Sequence, residues 1–142
     1  MLLIVSCQPQ GSQQPDKAVI VSPDAPAAIG PYSQAIKVGN TLYCSGQIAI
    51  DPATNQMVTE TIEAETEQVL KNLGAVLKTA GMDYSDVVSA TVYMTDIQNY
   101  SRINNVYSKY FSAQPPARAA VQVANLPKNA NVEIACIAVK AR

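Results

Sequence analysis

From Thr59 to Ala80 the apolar residues follow a period that differs from that of the chain on either side. Ile62, Val69, Leu70, Leu73, Val76 and Leu77 recur at helical spacing and form one stripe, so an amphipathic helix is expected over this stretch. Thr59 is the expected N-cap. Glu60, Glu63, Glu65 and Glu67 place negative charge at the helix start, and Lys71 and Lys78 place positive charge towards its end. Gly81 can close the helix in a left-handed conformation. Such a stripe has to be buried against something, and most of the remaining chain reads as strand.

Ala18 to Val21, Ser33 to Val38 and Thr41 to Ser45 are expected strands, the last two joined by the turn residues Gly39-Asn40. Gln47 to Ile50 continues extended until Asp51-Pro52. Val87 to Met94 is rich in β-branched residues and reads as a further strand. Asn99 to Ser112 reads as a second helix with Tyr100, Ile103, Tyr107, Tyr110 and Phe111 on its packed side, ended by Gln114-Pro115-Pro116. Arg118 to Ala124 and Val132 to Lys140 complete the set. Strands packed against two helices on one face make an α+β sandwich. Its other sheet face lacks a cover, which implies association through sheet faces. At 142 residues the chain fits one domain, expected over 18–142. Residues 1–17 fall outside it, and the Gln/Gly/Ser/Pro-rich run from Gln8 to Asp16 reads as disordered.

Composition removes several kinds of chemistry. The chain has no histidine, so Ser-His and Cys-His nucleophilic machinery and His-containing metal sites are excluded. Cys7, Cys44 and Cys136 are far apart and form no CxxC pair, and Cys44 and Cys136 sit in apolar runs where buried free thiols are expected. No metal or cofactor is implied. A net charge of -1 with scattered Lys and Arg argues against nucleic acid as a partner. No segment is long enough to span a bilayer, and a cytoplasmic location is expected. One alternative stands beside it. Ile4-Val5-Ser6-Cys7 resembles a lipobox, although its apolar run is short and lacks a basic flank; lipidation at Cys7 would anchor the protein to a membrane.

A few polar residues interrupt the apolar patterns. Arg118 opens an otherwise uncharged strand and can offer a planar fork to a carboxylate, or it can be an exposed strand-end residue. Glu133 shares a strand face with Ala135, Ile137 and Val139. There its carboxyl can handle protons or position water, or it can simply reach solvent. Asn104 borders the stripe of the second helix, where a solvated Asn is the plainer account. Gly46, in Ser45-Gly46-Gln47, lets a ligand approach the backbone closely or marks a bulge. Tyr32 follows the punctuated loop Pro23 to Pro31.

Five stretches together resemble the RidA (YjgF-type, endoribonuclease L-PSP-like) family. They are Ala25 to Ala35, which contains Ile29-Gly30-Pro31-Tyr32, then Ser45-Gly46-Gln47-Ile48, then Asn104-Asn105-Val106-Tyr107 with Tyr110-Phe111. Pro116-Ala117-Arg118-Ala119-Ala120-Val121 follows, and last Leu126-Pro127-Lys128 with Val132-Glu133-Ile134. The resemblance implies a chorismate-mutase-like (bacillus type) fold assembled as a homotrimeric barrel with clefts between subunits. It also implies metal-independent hydrolysis of 2-imino and 2-enamino acids, such as 2-iminobutanoate and 2-iminopropanoate, to 2-oxo acids and ammonia. On that basis Arg118 grips the substrate carboxylate, helped by the Ser45 hydroxyl and the Gly46 N–H. Tyr32 closes one wall, Asn104 contributes from the second helix, and Glu133 positions or activates water. Ala120, where many members carry cysteine, would act through its backbone. Two other functions remain open: a non-catalytic module that captures small carboxylates, and, with less support, an endoribonuclease.

Overall fold

The computed structural model describes residues 16–141. Its strands are β1 (Lys17–Ile20), β2 (Ala35–Val38), β3 (Thr41–Gln47), β4 (Val87–Met94), β5 (Ala117–Gln122) and β6 (Val132–Val139). The helices are α1 (Ile62–Thr79), between β3 and β4, and α2 (Tyr100–Tyr110), between β4 and β5. One sheet runs in the order β1-β2-β3-β6-β4-β5, antiparallel throughout except for the parallel pair β4–β5. That parallel pair needs a crossover, and α2 supplies it. The architecture is the expected α+β sandwich, with a mixed sheet and two helices.

α1 forms where the apolar stripe lies. Ile62, Val69, Leu70, Leu73, Val76 and Leu77 are all buried, each contributing roughly 1.5–3 kcal/mol on leaving water. The cap is Thr61, whose hydroxyl accepts from the Ala64 N–H at 3.1 Å, and not Thr59. The reason is that Ile62 already belongs to the buried stripe, so the helix begins there. Gly81 ends it with a φ of 75°. The hairpin between β2 and β3 turns at Gly39, with a φ of 59°.

Alternation along the strands divides the sheet into two faces. Val132, Ile134, Cys136 and Ala138 of β6 are buried beneath the helices, whereas Glu133, Ala135, Ile137 and Val139 face the other way and are half-buried. Cys44 and Cys136 lie opposite each other in the β3–β6 register and are buried free thiols. On the uncovered face Tyr43 is 50% and Val121 41% exposed. The unpaired sheet face inferred from the pattern is therefore present in the fold.

Some boundaries differ from expectation. β1 takes in Lys17, one residue before the expected domain start, because Lys17 pairs with Val38. β2 begins at Ala35; before it, the Ser33 and Gln34 carbonyls still accept bonds from Ser45 of β3, through its hydroxyl and its N–H, while the Gln34 side chain turns to Ser22 and Pro26. Tyr100 was expected on the packed side of its helix but is 40% exposed. It stands at the helix start by the sheet edge, with its hydroxyl turned to Arg118. The Cys7 lipobox and the Gln/Gly/Ser/Pro-rich run from Gln8 lie outside the described residues, apart from Asp16 at the end of that run. No helix among the described residues is long and apolar enough to cross a membrane.

Candidate functional site

Four of the singled-out residues meet in one cleft on the uncovered side of the sheet. β3 and β6 change register between Cys44 and Gln47, so Ser45 and Gly46 together oppose Ala135. This is a β-bulge, and it re-aims the chain beside Glu133. Glu133 lies directly over Gly46: a Cβ there would come within 2.6 Å of the Glu133 carboxyl carbon and 2.9 Å of its Cγ. Only glycine admits the carboxyl at this point. Tyr32, Ser45, Gly46 and Glu133 line a cavity of about 250 Å³, with Ile29, Ile48 and Pro127 as its apolar wall. Burial pushes the Glu133 carboxyl above its ordinary value, and no group among the described residues pulls the other way.

The polar groups around this cleft are already oriented. The Ser45 hydroxyl donates to the Ser33 carbonyl at 2.6 Å. What it offers a ligand is therefore lone pairs. A donor role towards a carboxylate, as the resemblance implied, requires that bond to be exchanged. The Tyr32 hydroxyl accepts from the Ile29 N–H at 3.2 Å. The loop carrying Tyr32 is tied by buried Gln34. Its Oε1 accepts from the Ser22 N–H at 2.6 Å and its Nε2 donates to the Pro26 carbonyl at 2.7 Å.

Arg118 belongs to a second cluster. One guanidinium nitrogen donates to Asn104 Oδ1 at 2.8 Å and another to the Tyr100 hydroxyl at 3.2 Å. The guanidinium carbon sits 4.7 Å from the Tyr107 ring centre, a stacking distance for Arg on an aromatic face. Tyr107 in turn stacks on Phe111 with centroids 4.4 Å apart. Tyr107 is buried, its hydroxyl has no hydrogen-bond partner among the described residues, and burial pushes its pKa up to about 12 against the pull of Arg118. Tyr100 shifts the other way, lowered by its bond with Asn104 and by Arg118. Ala120, two residues along β5, packs half-buried against the core.

The two clusters do not meet within one chain. Arg118 pairs with Ala90 and Ala90 with Cys136, both on the helix-covered face, whereas Glu133 pairs with Tyr93 on the other face. Strand spacing and rise put their Cα atoms roughly 14 Å apart, with side chains pointing to opposite sides of the sheet. Tyr32, Ser45, Gly46 and Glu133 thus form one cluster, and Asn104 and Arg118, with Ala120 on the same strand, belong to the other. Sequence reasoning passed over Tyr100 and Tyr107 as members of the Arg118 cluster. Their spacing from Asn104, four before and three after, places all three on one helix face and was a usable signal. No group of three His, Cys, Asp or Glu residues among those described could hold a metal.

Chemically, one cluster offers a carboxyl with raised proton affinity in a partly apolar cleft. The other offers a guanidinium held in a fixed plane. The sequence pattern of the endoribonuclease L-PSP family matches residues 22–140. The chain is 51% identical, over 87% of its length and 90% of the relative's, to 2-iminobutanoate/2-iminopropanoate deaminase of Bos taurus. It is 50% identical over 86% of its length to Reactive Intermediate Deaminase A, chloroplastic, of Arabidopsis thaliana, and spans 65% of that longer protein. The crystal structure of a putative endoribonuclease from Thermotoga maritima superimposes with a TM-score of 0.86 at 50% identity, covering 88% of this chain and 98% of that one.

Proposed function

The chain belongs to the endoribonuclease L-PSP family, among its RidA (YjgF-type) proteins, and from that premise we propose that it hydrolyses 2-imino acids to 2-oxo acids and ammonia. The observation that carries this reading is the Glu133 carboxyl, half-buried over Gly46 with its proton affinity raised. A carboxyl in that setting can exchange a proton with a bound water. The substrates proposed are 2-iminobutanoate and 2-iminopropanoate, which form from their enamines by proton transfer from nitrogen to carbon.

An imine carbon is already electrophilic, so no metal or covalent nucleophile is needed. Arg118 takes the substrate carboxylate in its planar fork. Glu133 takes a proton from water as the water oxygen bonds to C2; the C=N π pair goes to nitrogen, and Glu133 passes the proton on to it. The hydroxyl proton of the resulting carbinolamine then moves through Glu133 to the same nitrogen as the C–N bond breaks, leaving a 2-oxo acid and ammonia. Holding the two reactants in register supplies much of the acceleration.

This chemistry needs Arg118 and Glu133 on the same substrate, and one chain keeps them on opposite faces. We therefore propose that the site is completed between copies, with Glu133 of one chain facing Arg118 of the next. Such a contact joins two different surfaces and closes into a ring. A homotrimeric barrel with three such clefts is the assembly proposed, and it covers the exposed sheet face. The test is an imine generated in situ by an amino-acid oxidase, its decay followed with and without protein. Acceleration that disappears in Arg118→Ala supports the reading; no acceleration by the wild type contradicts it.

A further inference from the structure

α1 buries three polar side chains among its apolar ones, of which Thr66 donates back to the Ile62 carbonyl of its own helix while Glu65 and Asn72 reach other segments. Glu65 is 0% and Asn72 1% exposed, and their separation of seven residues places them on one face, two turns apart. Both reach behind the Glu133 cleft. Asn72 Nδ2 donates to the carbonyls of Ile48 at 3.0 Å and Ile50 at 2.8 Å, and its Oδ1 accepts from Gln68 Nε2 at 2.8 Å. This braces the wall that contains Ile48. The Glu65 carboxylate accepts from the Asn131 N–H at 2.6 Å and from Asn131 Nδ2 at 2.8 Å.

The Glu65 bonds fall at a sensitive place. Asn131 follows the turn Pro127–Asn129, which carries Pro127 into the cleft and holds Lys128 and Asn129 at φ values of 53° and 55°. It precedes Glu133 by two residues. Val132 pairs with Met94, the last residue of β4, so Glu133 stands one step from the end of the ladder. Ladder ends fray most readily. Taking a carboxylate out of water is costly, and its two hydrogen bonds offset that cost. A leucine at this position would serve packing alone.

We propose that Glu65 is a positioning residue, whose clamp on Asn131 holds the start of β6 and with it the Glu133 carboxyl over Gly46. Its kinetic consequence rests on the deaminase reading; its structural consequence does not. The test is Glu65→Gln, which keeps size and one acceptor for the Asn131 N–H but sets an amide donor against Asn131 Nδ2. Adding Asn131→Asp restores a donor–acceptor match. Glu65→Gln is expected to lower kcat about tenfold with KM changed less than about threefold, and the double variant to recover most of the loss. Asn131→Ala keeps the backbone bond and is expected to lose about threefold, which covers the case in which Glu65→Gln does not fold.

The readout independent of turnover is the titration of Glu133 by carboxyl carbon NMR. Among the described residues, Tyr32 is the other titratable side chain lining the cleft, Tyr93 stands opposite Glu133 in the ladder, and Arg118 of the next chain faces it in the proposed assembly. In Glu65→Gln the Glu133 titration is expected to move down towards the ordinary carboxyl range, and to return in the double variant. An unchanged Glu133 titration and kcat in Glu65→Gln, whatever happens to its melting temperature, overturns the proposal. So does a loss that Asn131→Asp leaves in place. If the wild type hydrolyses no imine, the deaminase reading fails while the Glu133 titration still decides the role of Glu65.

Discussion

Arg118 and Glu133 are the charged members of the two clusters, and the fold treats them in opposite ways. Arg118 is surrounded by partners: Asn104 and Tyr100 accept from its guanidinium, and the Tyr107 ring lies beneath it. Glu133 is set against a glycine and an apolar wall, where within one chain burial alone acts on its carboxyl. A cation fixed in plane is suited to recognising a carboxylate. A carboxyl left without compensating bonds is suited to moving protons. On the proposed reading, the cluster that binds is the one whose charge is held by hydrogen bonds and stacking, and the cluster that reacts is the one whose carboxyl is left uncompensated.

Substitutions at four positions test that division. The largest effect is expected from Glu133→Gln, with kcat for imine hydrolysis falling on the order of 10³-fold. Affinity for 2-oxobutanoate, measured by calorimetry, is expected to change little. The same variant carries a stability signature. Because burial raises the folded-state pKa, the ionised form is disfavoured, so this group's contribution is best at low pH and worsens as pH rises through that value. Glu133→Gln should therefore melt slightly higher than wild type at pH 7, by on the order of 1 °C. The difference should close as pH falls below the ordinary carboxyl value of 4.5.

Arg118→Ala comes next, with kcat/KM down about 100-fold and the loss seen in oxo-acid affinity as well. Arg118→Lys should recover little of it, since an ammonium cannot reproduce the planar fork. Gly46→Ala drives a Cβ into the Glu133 side chain; kcat should fall about tenfold while oxo-acid affinity is largely kept. The smallest effect belongs to Tyr107→Phe. Losing a buried hydroxyl that lacks a partner leaves stability unchanged or raised by up to about 1 kcal/mol. The ring remains under Arg118, so activity should stay within about twofold of wild type. A large loss there would show that the hydroxyl itself takes part, and would blur the contrast between the clusters.

Much of the fold was legible because α1 and its flanking strands differ in hydrophobic period, and Gly39 and Gly81 mark turns that need positive φ. The site was legible only in pieces. Along β5, Ala117-Arg118-Ala119-Ala120 has no hydrophobic contrast, so the pattern could not say which face Arg118 takes. Along β6 both residue sets are apolar, Val132, Ile134, Cys136 and Ala138 against Ala135, Ile137 and Val139, so the helix-covered side was equally unmarked. Glu65 stood among four acidic residues at a helix start, and only packing distinguishes the one that is buried. The choice of Thr61 over Thr59 as cap likewise depends on where the buried stripe begins.

The central claim is that a working site takes Glu133 from one chain and Arg118 from another. It is tested most directly by co-refolding equal amounts of Arg118→Ala and Glu133→Gln chains and assaying imine hydrolysis. Each variant alone is expected to be nearly inactive. Random mixing in a closed ring places an intact Arg118 beside an intact Glu133 in about one cleft in four, so roughly a quarter of wild-type activity should return. If both residues had to come from the same chain, no mixture could contain an intact site. Activity that stays at the level of the separate variants, in assemblies shown to have mixed, would contradict the account.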